Sequence, residues 1–139
     1  MADKWIQLQS ADGLDNLYPL TGWDLLWKNS APTSSFSAQT ISLDLSNYDA
    51  VAISYNGSGY QNTVSDSARL YLFHLIDGKD ATLFAQTSTL VFGERNITVN
   101  TTGIVFAVGR YVASSSNDNN YACVLKEIYG IKLSVNDVR

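Results

Sequence analysis

Trp23–Asp49 reads WDLLWKNSAPTSSFSAQTISLDLSNYD, and its pattern decides the fold class. Two apolar, strand-like runs, Trp23–Trp27 and Ile41–Leu45, flank a polar segment that carries Pro32 and a cluster of Ser and Thr. The stretch closes on the turn signal Ser46-Asn47-Tyr48-Asp49. In the second run Ile41, Leu43 and Leu45 share one face and Ser42 and Asp44 the other, the period of two of a half-buried strand. Strand, polar crossover, strand, turn is an all-β signature.

The same period recurs outward from this stretch. Lys4–Gln9 alternates around Ile6 and Leu8, and Ala50–Tyr55 sets Val51, Ile53 and Tyr55 on one side. Arg69–Ile76 is apolar on both faces and reads as a central strand of a sandwich. Thr82–Phe92 is one bent strand or two, and Arg95–Asn100 presents Ile97 and Val99. Gly103–Ala113 and Ala122–Leu133 are further long runs, with Gly109 and Gly130 expected at bulges or bends. Turn signals stand at Asn56–Gly59, Asp77–Asp80 and Ser114–Asn120. Only Asp12–Leu20 is compatible with a helix, and Pro19 cuts it short. The expected fold is an antiparallel β-sandwich, jelly-roll-like, of about eight or nine strands. Residues 23–139 form that domain; residues 1–22 are too short for their own core and are expected to be an attachment segment packing on a neighbour.

A chain of 139 residues is one domain with a self-sufficient core. Its formal charge of −4 and its scattered Lys and Arg argue against binding a phosphate backbone, so no nucleic-acid partner is expected. No apolar run approaches the ~18–20 residues of a membrane span, so no insertion is expected. The start, MADKWIQLQ, lacks a charged region followed by an apolar one, and there is a single cysteine. These point to synthesis in a reducing cytoplasm without a signal peptide or internal disulfide.

Catalytic chemistry is sparse. His74 lies in an apolar strand without a second histidine, and reads better as a hydrogen-bonded sheet residue than as a base. Cys123 reads as a small buried hydrophobe, because no base or cationic site is evident beside it. Asp77, Asp80 and Asp118 lie in Asx-rich turns, but a Ca²⁺ loop with its terminal Glu is missing. Glu94 and Glu127 are the only glutamates. No catalytic residue, metal or cofactor is expected. The sequons at Asn56, Asn96 and Asn100 read as chance matches in a Ser/Thr/Asn-rich chain. Recognition is the remaining possibility. A sugar site needs rings for stacking and amides or carboxylates for hydroxyls. Two loops combine them: Tyr60, Asn62 and Asp66 in one, Asp118, Asn119, Asn120 and Tyr121 in the other. An ordinary exposed turn has the same composition.

Two places carry a family resemblance. Asp15–Thr21, DNLYPLT, preceded by Trp5–Leu8, is similar to the leader of phage fibre polypeptides. Trp23–Asp49, with the later segment Ile128–Lys132, resembles a small β-sandwich module at fibre ends. The resemblance covers both ends of the chain and little of residues 57–120. It implies a component of a bacteriophage virion, a tail or head fibre or another minor structural protein. Such proteins are usually homotrimeric, contact other virion proteins, and present an outer domain to host surface polysaccharide. It supplies no catalytic residues. Trp5, Trp23 and Trp27 are then candidates for the interface between copies, with membership of the core as the plain alternative. The rival expectations are a bacterial carbohydrate-binding module or lectin, a ligand-free decoration protein and, last, a glycan depolymerase.

Overall fold

In the computed structural model, which describes residues 23–57, 64, 70–88, 91–112 and 116–133, every regular element is a strand. In chain order these are β1 (Trp23–Lys28), β2 (Gln39–Ser42), β3 (Ala50–Tyr55), β4 (Leu70–Leu75), β5 (Asp80–Ser88), β6 (Val91–Asn100), β7 (Gly103–Phe106), β8 (Arg110–Val112), β9 (Ser116–Asp118) and β10 (Leu125–Ile131). The proposed attachment segment 1–22 and the helix-compatible Asp12–Leu20 lie outside the described residues.

All pairings are antiparallel and fall into two sheets. One has the order β1-β10-β3-β4; the other runs β2-β7-β6-β8-β9, with β5 along the second side of β6. β6 is the spine of the larger sheet: Ile97–Asn100 pairs with β7 and Phe92–Glu94 with β8, so these two short strands lie end to end beside it. The run expected over Gly103–Ala113 is therefore broken at Ala107–Gly109.

Alternation explains how the sheets meet. β3 turns Val51, Ile53 and Tyr55 inward, where they join Leu125 and Ile128 of β10. Opposite them stand Ile41 of β2, Leu83 and Ala85 of β5, Ile97 and Val99 of β6, and Ile104 and Phe106 of β7, all in one buried cluster. Residues from both inner faces thus share one core, giving a sandwich-like all-β architecture. The polar crossover after β1 contributes as well. Phe36 is buried between Trp27 and Phe106, at ring-centroid distances of 6.1 and 5.6 Å.

Two expectations change. Arg69–Ile76 does not read as a central strand: among the described residues β4 ends its sheet, and its alternate residues are exposed. Thr82–Phe92, expected as one bent strand or two, is two, divided between β5 and β6. Gly130 marks no bulge, since β10 pairs through it with both neighbours. A Cβ there would lie 2.6 Å from the Tyr48 ring, whose hydroxyl donates to Asp24 Oδ2 at 2.8 Å. The register shifts instead fall at Leu26 and Lys126. The shift at Leu26 sorts β1: Trp23 and Leu25 go to the outer face, while Leu26 and Trp27 pack on the core.

Candidate functional site

The registers lay out the outer face of the four-stranded sheet as a grid. One row is Trp23, Ile131, Ala50, Leu75; the next is Leu25, Tyr129, Ala52, Phe73; the third is Lys28, Glu127, Ser54, Tyr71. The first two rows contain no charged residue. Their centre is small, because β3 offers Ala50 and Ala52, and large side chains from the other strands gather over it. Trp23 lies 5.4 Å from Phe73, 6.2 Å from Tyr71 and 5.7 Å from Tyr129, while Tyr71 and Phe73 stack at 6.1 Å. Ala50, Ala52 and Ile131 are buried beneath Trp23 and Tyr129, making a second, minor core outside the sandwich.

That cover is incomplete. Phe73 is 57% exposed, Leu75 56%, Leu25 53% and Tyr71 39%. Scattered exposed apolar residues are ordinary, but a contiguous patch marks a surface that another molecule meets. The outer face of the larger sheet provides a contrast within the same molecule. There Thr98 Oγ1 donates to Asp80 Oδ1 at 2.5 Å and Thr82 Oγ1 to Asn96 Oδ1 at 2.8 Å. Arg110 spans Glu94 at 3.4 Å and Asp118 at 3.9 Å. Among the described residues, large apolar exposure on that face is limited to Phe84, stacked on Phe92, and Val105. One outer face carries polar ladders suited to water and the other a bare aromatic surface.

Polar groups border the aromatic rows. Tyr129 donates its hydroxyl to Glu127 Oε1 at 2.7 Å, with Lys28 beside Glu127 in register. The Ser54 hydroxyl is buried in the same row and has no hydrogen-bond partner.

The loop expected to bind sugar is organised from within. Asn119 Oδ1 accepts from the Tyr121 N–H at 2.9 Å, an Asx turn, and the Asn119 N–H donates to Gly109 O at 2.7 Å. Asn120 O accepts from the Phe36 N–H at 2.9 Å. Beneath the loop lies Arg95, wholly buried. Its Nε donates to Cys123 O at 3.1 Å, one terminal nitrogen to Ala107 O at 2.7 Å, and the other to Asn120 O and Ala122 O at 3.2 and 2.9 Å. The Phe36 ring covers it, 5.2 Å from the guanidinium carbon. Burial pulls this guanidinium down to about 10, and four carbonyls on the charged form keep it cationic at neutral pH. Arg95 therefore clamps the β7–β8 break to the segment before β10.

Of the residues proposed from sequence, Trp23 stands in the aromatic face and Trp27 on the core side of the same strand. Asp118 pairs with Arg110, Asn119 and Asn120 take part in the loop's own hydrogen bonding, and Tyr121 is half-buried beside them. Trp5, Tyr60, Asn62 and Asp66 lie outside the described residues. His74 sits on the inner side of β4, its Nδ1 2.5 Å from Leu75 O and 3.9 Å from Asp77 Oδ1. Burial pushes the Cys123 thiol up to about 12, so it stays protonated and unreactive near neutrality. Among the described residues, no three His, Cys, Asp or Glu side chains sit together as a metal site.

Sequence reasoning passed over Phe73, Tyr71 and Tyr129, the rings that surround Trp23. For Tyr71 and Phe73 a run apolar on both faces was the only signal, and it equally describes a central strand. Comparison with known protein families, with curated proteins and with solved structures finds no match to this chain. The reading of the site therefore rests on its own geometry and on the sequence resemblance.

Proposed function

We propose that this chain is a non-enzymatic structural protein of a phage virion, fibre or tail-associated, whose jelly-roll-like sandwich self-associates. Assembled with other virion proteins, it presents weak sites for host surface glycans in many copies, so that avidity replaces strong single contacts. One observation carries the self-association. The outer face of the four-stranded sheet exposes Leu25, Tyr71, Phe73 and Leu75 around Trp23, while the opposite outer face is polar. Aromatic side chains with little charge are the composition of a buried protein–protein contact. The phage assignment is supported by the resemblance of Trp23–Asp49 and Ile128–Lys132 to the fibre module.

A carbohydrate-binding module is the second reading, favoured by the polar row beside the rings. Lys28, Glu127 and Tyr71 lie in register there around the buried Ser54. Rings for stacking and groups for hydroxyls are what a saccharide needs.

Light scattering on the purified chain tests the main reading: an assembly of several protomers supports it, and a monomer without binding partners overturns it. Portal or tail genes adjacent to its gene are the expected neighbourhood. A monomer that binds purified cell-wall polysaccharide supports the module instead.

A further inference from the structure

The exposed side chains of the aromatic face concentrate on one strand. Tyr71, Phe73 and Leu75 all stand on β4, which ends its sheet. β3 pairs one side of β4 along Leu70–Leu75, and among the described residues no strand pairs the other. Unpaired backbone donors and acceptors along an edge are a template for another strand, and folds guard such edges with charge, proline, bulges or brevity. The other edges of this molecule have guards. β1 carries Asp24, Lys28 and the register shift at Leu26. β5 opens on Asp80 and has a register shift between Gln86 and Ser88. β2 has 4 residues and β9 has 3. β4, reading LYLFHL, has 6 residues with no Asp, Glu, Lys, Arg or Pro and no shift against its neighbour.

We propose that β4 is the self-association edge: the β4 strands of two copies pair antiparallel about a two-fold axis at Phe73, joining two four-stranded sheets into one. This names the partner in the self-association reading above and rests on it. A second copy suits the edge chemically. Self-pairing at this register sets the two Phe73 rings together and each Tyr71 opposite a Leu75, so the exposed stripe covers itself. Because the strand is free of carboxylates, ammonium and guanidinium groups, no such like charges face each other across the pair, although the chain carries −4 overall. The two-fold makes the contact isologous and closed, so it stops at two copies instead of growing into a filament.

The contact is small. Half-exposed side chains of this size and one strand ladder bury roughly 300–400 Å² per copy, at or below the low end of specific interfaces. The expected dissociation constant is on the order of 10 µM to 1 mM, and multiple copies would reinforce it.

Sedimentation of the full chain from roughly 10 µM to 1 mM tests the pairing. The expected result is a rise from one protomer mass to two. Phe73→Lys should remain monomeric, with a melting temperature lowered by no more than about 3 °C, because its side chain is largely exposed. Leu25→Lys, on the same face but the opposite edge, should associate as the native chain does. Phe73→Cys should oxidise to a disulfide-linked dimer, since facing strand residues come within disulfide reach and Cys123 is buried. Association lost in both lysine variants would mean face-to-face stacking, and lost only in Leu25→Lys would mean pairing through β1; either would overturn the β4 pairing. So would a mass of three protomers, which leaves the self-association reading standing. A chain monomeric throughout overturns both.

Discussion

Trp23 meets the Phe73 ring edge-on, centroids 5.4 Å apart, although β1 and β4 are the outermost strands of their sheet. β10 and β3 lie between them, so about 14 Å separates the two backbones. The rings meet because β3 offers only Ala50 and Ala52 beneath them. Small central residues let one indole tie the two edges of the sheet together.

Trp23→Ala should therefore destabilise the fold by about 2–3 kcal/mol, less than the loss of a fully buried Trp. Phe73→Ala, more exposed, should cost under about 1 kcal/mol. Urea unfolding of the two variants checks this, and equal costs would mean that Trp23 holds nothing together.

Arg95 should be the most sensitive polar position. Its guanidinium satisfies the carbonyls of Ala107, Asn120, Ala122 and Cys123 in the core. Arg95→Met preserves much of the volume and strands all of them, at an expected cost of about 3–5 kcal/mol. Lysine has donors at one point only and cannot span the same carbonyls, so Arg95→Lys should recover less than half of the loss. Chemical denaturation measures both. Faster alkylation of Cys123 in Arg95→Met would report the loosened segment directly.

The sequence made the fold class legible wherever one face of a strand is polar. Ile41 and Ser42 announce both strand and orientation. It was less legible where both faces are apolar: Leu70–Leu75 has the same pattern whether its outer side meets a second layer or lies open. Arg95 shares its face with Ile97 and Val99, and that alternation was visible in the sequence. Its partners were not, because they are main-chain carbonyls brought together by the fold. Phe36 was hidden similarly, a lone ring in a Ser- and Thr-rich crossover that turns into the core. The loop of Asp118–Tyr121 has a composition suited to sugars, yet the same amides close its own turns.

The two structural glycines should separate by what a methyl group would strike. At Gly109 a Cβ would lie 2.6 Å from Asn119 O and 2.7 Å from Ala122 O, both main-chain atoms that Arg95 and the loop hold in place. At Gly130 the obstacle is the Tyr48 ring, which can swing away at the expense of its bond to Asp24. Gly109→Ala should cost about 2–4 kcal/mol and Gly130→Ala about 1–2 kcal/mol. Thermal melts of the pair decide it, and the reverse order would contradict the close approach at Gly109.

Cys123 should give stability an alkaline limb. Burial is the main cause that raises its thiol from 9.0 to about 12, so the folded chain keeps a proton that the unfolded chain has released. Its stabilising contribution is full below pH 9 and is lost as the pH rises towards 12. Arg95 acts with the opposite sign. Burial lowers its guanidinium from 12.5 to about 10, so above pH 10 the folded chain sheds that proton first and stability is regained. The Cys123 contribution is therefore cleanest between pH 9 and 10. Across that interval the native chain should lose about 1 kcal/mol relative to Cys123→Ala, or about 3 °C in Tm. Melts of both chains from pH 8 to 10 isolate the thiol from every other titrating group. A constant difference between them would mean that Cys123 ionises in the folded chain as readily as in the unfolded one.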